Sequence, residues 1–141
     1  MEESKEIQFV EAQNSDDWIE RVQGFLATFV ENQQILPRTR DELIKLFEHA
    51  FVAIDDLQVV GFVALEIYSN KLSEIQCLAV DDRYRRRGIG RELVNRCVTR
   101  AKQMGVRELM AISATDKMFL ACGFDYSLPN QKRALFIQLD D

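Results

Sequence analysis

Histidine is nearly absent: the 141 residues contain one, His49. A single imidazole argues against a Ser-His-Asp or Cys-His site, and too few ligands remain for zinc, so no metal is expected. Cysteine is scarce and odd in number. Cys77, Cys97 and Cys122 lie far apart, with no C-x-x-C spacing, and each sits in an apolar stretch. Reduced core thiols are the plain reading. No run approaches the ~18 apolar residues of a membrane span. The N-terminus, MEESKEIQ, is acidic and lacks the apolar segment of a signal peptide. The expectation is a cytoplasmic chain that does not use a membrane. Excess positive charge is missing too. The net charge is −5, so the surface as a whole does not advertise nucleic-acid binding.

What is present suits one domain spanning residues 1–141. Hydrophobic residues make up 47% and charged ones 29%, enough for a core of ordinary size. Glu6 to Ala12 alternates weakly and predicts an edge strand. Asn14 to Asp17 offers cap residues for a helix carrying Trp18, Val22, Phe25, Leu26 and Phe29. Pro37 breaks that pattern, and Thr39 can cap a second helix over Asp41 to His49. Three strands follow, Phe51 to Asp55, Gln58 to Tyr68 and Leu72 to Val80, separated by the turns Asp55-Asp56 and Ser69-Asn70-Lys71. Gly61 marks a bulge in the second. A long helix runs from about Gly88 to Met104 and stops at Gly105. Val106 to Ser113 reads as a strand returning parallel to the third. Asp116 to Cys122 is a short helix ended by Gly123. Phe124 to Tyr126 and Arg133 to Leu139 read as two closing strands. The order βααβββαβαββ is an α+β domain with a mixed sheet.

One stretch, Leu72 to Leu93, carries most of the chemistry. An apolar strand runs into Asp81-Asp82, then into Arg85-Arg86-Arg87-Gly88-Ile89-Gly90, and a helix starts at once. Unpaired N–H groups and the dipole at a helix N-terminus favour an anion, and glycine allows close approach of the backbone. Arg83, Arg85, Arg86, Arg87 and Arg91 add positive charge. A dinucleotide fingerprint would need Gly or Ala where Leu93 stands, and a Walker loop would need Gly-Lys-Ser/Thr. The chemistry alone leaves two readings, a phosphate cradle and a solvated basic turn.

Arg85-x-x-Gly88-x-Gly90, preceded by Leu78-Ala79-Val80-Asp81-x-x-Tyr84, resembles the signature motif of the GCN5-related N-acetyltransferases (GNAT). Phe119-x-x-x-Gly123-Phe124 is similar to their closing motif. The resemblance runs from about Phe9 to the C-terminus. Within that superfamily, the segments Ile35 to Leu43 and Glu74 to Val80 resemble the acetyltransferase domain of N-acetylglutamate synthases, and short stand-alone versions of it more closely still. The resemblance implies the GNAT fold, a twisted mixed sheet of about seven strands with about four helices.

It also implies a ligand, acetyl-CoA, and a small-molecule amine as acceptor, with an amino acid such as glutamate in first place. The pyrophosphate would rest on N–H groups from Arg86 to Arg91, including Arg87, Gly88, Ile89 and Gly90, with Arg85 beside them. The pantetheine arm would lie along Leu78, Ala79 and Val80, where the central strand splays from the next. Phe119 would flank the coenzyme. The N–H of Leu78 would polarise the acetyl carbonyl. Glu74 is the expected base, since its spacing to Arg85 is that of the catalytic glutamate of histone acetyltransferases. Simple alternation places Glu74, Gln76 and Leu78 on one face. Many relatives carry a tyrosine where this chain has Phe119, so the thiolate would leave without a phenol acid, at a cost of about 2 kcal/mol at neutral pH. Ser113 falls near a catalytic serine of the synthases, and Cys122 and Tyr126 are further acid candidates. Arg38 and Arg40 would grip an acceptor carboxylate, and Lys71, Lys132 and Arg133 could add to them. Two alternatives stay open, a protein N-terminal or lysine acetyltransferase and a non-catalytic acyl-CoA-binding module. By analogy with relatives that pair through sheet edges, a homodimer is the expected assembly.

Overall fold

The computed structural model describes residues 6–113, 116–126 and 135–139. Strand β1 (Gln8–Glu11) leads to helix α1 (Asp16–Glu31). Ser15 caps α1 by accepting a hydrogen bond from the Trp18 amide at 3.3 Å, and Asp16 and Asp17 favour the positive end of the helix dipole. Ile19, Val22 and Leu26 form its buried face. Helix α2 (Arg40–Leu46) begins with a reciprocal capping box between Thr39 and Glu42. The single helix expected to His49 ends three residues early, and Phe47–His49 tightens into a 3-10 turn that delivers the chain to the sheet.

Strands β2 (Ala50–Asp55), β3 (Gln58–Ile67) and β4 (Leu72–Val80) form an antiparallel meander beyond β1. Helix α3 (Ile89–Gln103) crosses back, and β5 (Glu108–Met110) pairs parallel to β4. Helix α4 (Lys117–Ala121) follows. The sheet order is β1-β2-β3-β4-β5, with α1 and α2 on one face and α3 on the other. Phe62, Val52 and Val22 are fully buried in the first layer, and Val63, Leu93 and Cys97 in the second. Strands buried on both sides explain the continuous apolar run of β2 and β3.

The α+β order matches the expectation, and the strand count does not. Five strands are present among the described residues, where about seven were expected. Phe124 to Tyr126 is irregular. Of the segment Arg133 to Leu139, Arg133 lies outside the described residues, as does Lys132. Residues 135–139 are irregular and exposed, Leu135 by 91%. Strand-forming side chains express their preference only when packed on a pleated surface, which these are not. The strand expected over Val106 to Ser113 is only three residues long, for a reason that lies in β4.

Candidate active site

Cys77 sits in the left-handed region with φ at 56°, although it is not glycine. There the β3–β4 register shifts: Ala64 pairs with Gln76, while Phe62 pairs with Ala79. This is a β-bulge, which bends a strand and leaves an extra residue unpaired. Before it, Leu72, Ser73 and Glu74 pair with Glu108, Leu109 and Met110 of β5. The buried Ser73 hydroxyl fixes that end by donating to the Glu108 carbonyl at 3.0 Å. Beyond Glu74, β4 has no strand partner on that side among the described residues. The bend thus ends β5 early and leaves Ile75 to Val80 as an open edge.

The bulge also changes which side chains share a face. Ile75 packs in the layer under α3, whereas Cys77 packs in the layer under α1 and α2. Leu78 and Val80 then fall on the α3 side, and Ala79 on the α1 side. The expectation that Leu78 shares a face with Glu74 and Gln76 is therefore wrong. One inserted residue reverses the alternation.

The open edge runs directly into the arginine loop. Asp81 caps a short turn by accepting from the Arg83 amide at 2.9 Å, and the Arg83 guanidinium holds its carboxyl below the usual range. Tyr84 donates to Asp55, which raises the phenol's pKa, and Arg87 stacks over its ring at 5.0 Å. Arg86 (φ 68°) and Gly88 (φ 75°) are both left-handed and turn the backbone into α3. Such turns make concave groups of N–H donors. Gly88 caps α3 without a side chain, so the amides of Ile89, Gly90 and Arg91 begin the helix with no capping acceptor. Arg83 pairs with Asp81 and Arg85 with Asp82, but Arg86, Arg87 and Arg91 pair with no carboxylate among the described residues.

Glycines set how closely the elements meet here. A side chain on Gly61 would touch Ala53, Ile89 and Leu93, each at 3.1 Å. Gly61 is therefore a docking notch for the start of α3 as well as a neighbour of the β2–β3 register shift. A side chain on Gly90 would meet Met118 of α4 at 3.0 Å and Val80 at 3.6 Å. The end of β4, the first turn of α3 and α4 thus converge. Phe119 is buried edge-on against Phe124, with centroids 5.3 Å apart, so it fills the core behind this junction.

Across the sheet, a polar group gathers around Glu74. Tyr68 donates to Glu74 Oε1 at 2.6 Å, and Gln76 Nε2 lies 3.3 Å from the Tyr68 oxygen and 3.5 Å from Glu66 Oε2. Arg38 donates to Gln76 Oε1 at 2.9 Å and to the Leu36 carbonyl at 3.0 Å. Glu66 stands opposite Glu74 in register. The partial burial of Tyr68, helped by Glu74, raises its pKa. The structure therefore brings Arg38 and Glu74 together. Tyr68 and Gln76 had no sequence signal as site residues, since their partners are set by strand register and by a loop 38 residues away.

Arg40 is turned instead to Asp16, bracing α2 against the start of α1. Ser113 is exposed, three residues beyond β5. Tyr126 is exposed and donates to Asp116, which raises its pKa. Cys122 Sγ lies 4.0 Å from the Arg91 carbonyl. Burial raises the pKa of the Cys77 thiol and pushes Cys97 up to about 12, so neither is poised as a nucleophile. Two surface clefts, of about 490 and 760 Å³, open beside α1 and between β1 and α3. Neither includes Glu74 or the first turn of α3. Among the described residues no cluster of side chains could hold a metal, and no helix is long and apolar enough to cross a membrane.

A model of the acetyltransferase (GNAT) family matches residues 12–124. An uncharacterized N-acetyltransferase of Chlorobaculum tepidum is 33% identical over 90 residues, 64% of this chain and 58% of that protein. An amino-acid acetyltransferase of Pseudomonas syringae is 31% identical over 127 residues, 84% of this chain and 29% of that protein. The match thus spans less than two thirds of the length of either relative, and under a third of the second. In structure it is similar to N-acetylglutamate synthase from Neisseria gonorrhoeae complexed with coenzyme A and N-acetylglutamate. The TM-score is 0.71 at 23% identity, over 84% of this chain and 28% of that one.

Proposed function

The chain belongs to the GNAT acetyltransferase family, and from that premise we propose that it moves an acetyl group from acetyl-CoA to the amine of a small molecule. The observation that carries this reading is the continuous run from the open β4 edge into the uncapped start of α3. An extended pantetheine arm suits the edge as an added strand. A diphosphate suits the amides of Ile89, Gly90 and Arg91, with Arg86, Arg87 and Arg91 paired to no carboxylate among the described residues. Val80 and the loop bring the two halves within one ligand's reach.

The amine nitrogen attacks the thioester carbon, and the developing oxyanion meets backbone N–H donors of β4 near Leu78. The C–S bond then breaks and the thiolate leaves, taking a proton from solvent. The proton lost by the amine goes to Glu74, through a water. Phe119 has no hydroxyl to protonate the leaving group. The buried Cys77 and Cys97 are not poised to form an acetyl-enzyme, which supports direct transfer. Arg38 is linked to Glu74 through Gln76 and Tyr68, a placement that suits it to orient an acceptor carboxylate. Amino acids are therefore the leading acceptor class, with glutamate first to test, and both N-acetylglutamate synthase and the amino-acid acetyltransferases support that order. A homodimer through sheet edges remains part of this reading by analogy alone.

Free-thiol release from acetyl-CoA in the presence of a panel of amino acids, diamines and peptides tests the proposal. Turnover with at least one small amine is expected. Release only with peptides would move the acceptor to proteins, and coenzyme binding without release would make the domain a non-catalytic module. Replacing Arg86 and Arg91 together with Ala should weaken coenzyme A binding roughly tenfold or more at low salt. Added salt should narrow that gap, since exposed charges are screened. Calorimetric titration at two salt concentrations reads both effects, and an unchanged affinity would place the diphosphate elsewhere.

A further inference from the structure

We propose that Tyr68 is the positioning residue for Glu74, at the end of a one-way hydrogen-bond chain that begins at Arg38. This rests on the reading of Glu74 as the base. The direction follows from which groups can donate. A guanidinium has donors and no acceptor, so Gln76 must turn its amide oxygen to Arg38, 2.9 Å away. The amide NH2 then faces the Tyr68 oxygen at 3.3 Å and Glu66 at 3.5 Å. Because Tyr68 accepts from Gln76, its single proton goes to Glu74 Oε1 at 2.6 Å. One carboxylate oxygen of Glu74 is thereby held, and among the described residues no hydrogen bond engages the other, which can take a proton.

The chain also manages a conflict in the sheet. Glu66 and Glu74 stand directly opposite across β3 and β4, an arrangement that repels. Gln76 and Tyr68 give each carboxylate its own donor, which keeps the two side chains in fixed places. Among the described residues, Met110 of β5 is its partner in register and is uncharged, and Lys71 and Glu108 stand farther back, beside Leu72. Arg38 acts only through Gln76. Binding an acceptor carboxylate at Arg38 would therefore be felt at Glu74 without direct contact.

The test is Tyr68→Phe, which keeps the ring and removes the donor. Carbon-detected NMR of the Glu74 carboxyl, without substrate and at neutral pH, should show its carbon signal displaced once the Tyr68 donor is gone. Arg38→Lys retains a donor for Gln76 and should leave that signal in place, whereas Arg38→Ala should displace it partway. In Tyr68→Phe kcat should fall about tenfold while KM for acetyl-CoA stays level, the mark of a misplaced reacting group. An unmoved signal in Tyr68→Phe overturns the chain. A signal that moves while kcat does not would uphold the chain and remove Glu74 as base. Circular dichroism confirming a folded Tyr68→Phe protein makes an unmoved signal decisive.

Discussion

Glu74→Gln is expected to lower kcat/KM about a hundred- to a thousandfold at neutral pH, the range a positioned general base contributes. The substitution is nearly isosteric, and the new amide oxygen can still accept from Tyr68. What disappears is a site for the proton that the amine must lose. As pH rises, more of the amine is already neutral, so the gap between the two proteins should narrow. Stability should not follow activity. Removing one of two facing carboxylates relieves repulsion with Glu66, so Tm should stay level or rise slightly. Rate profiles across pH, with melting curves beside them, read both effects. A rate equal to that of the native protein at neutral pH would take Glu74 out of the mechanism.

Gly61→Val is expected to cost stability and coenzyme affinity together. The position lies in β3 with no room for a side chain: the first carbon alone would sit 3.1 Å from Ala53, Ile89 and Leu93. Ala53 is fixed in the sheet, and the other two belong to the first turns of α3. Adding two further methyl groups overpacks the site, which typically costs 1–3 kcal/mol. For a domain of this size that is a fall in Tm on the order of 5–10 °C. The simplest relief is for α3 to lift at its start, and that start carries the amides proposed for the diphosphate. Coenzyme A binding should therefore weaken although residue 61 touches no ligand. Gly61→Ala should give a smaller shift of the same sign. A Val variant that melts like the native protein would mean that the α3–β3 contact is soft.

The meander and the long helix were legible because their signals are local. The turns Asp55-Asp56 and Ser69-Asn70-Lys71 bound the strands, Thr39 is a cap residue, and Gly88 and Gly105 bracket α3. The arginine-glycine loop was legible as a motif, and the structure places it at a bare helix start. The pairing of Arg40 with Asp16 and the burial of Phe119 behind the cradle were not legible, because both depend on helices meeting. The apolar residues of Phe124 to Tyr126 and Arg133 to Leu139 suit closing strands. Composition shows that a strand could form, but it cannot supply the neighbour that a strand needs.

The residues themselves determined the order of elements as far as the short helix over α4, the parallel crossover and the basic glycine turn, since turn chemistry and hydrophobic period act within a few positions. Tertiary structure alone decided the geometry of the proposed chemistry. A left-handed cysteine gives no warning in a sequence, yet it bends β4, exposes its edge and moves Leu78 to the face opposite Glu74. The Arg38–Gln76–Tyr68–Glu74 chain likewise exists only because strand register and a distant loop bring those four side chains together. Contacts that span many residues depend on how the whole chain packs, and no short window of sequence encodes that.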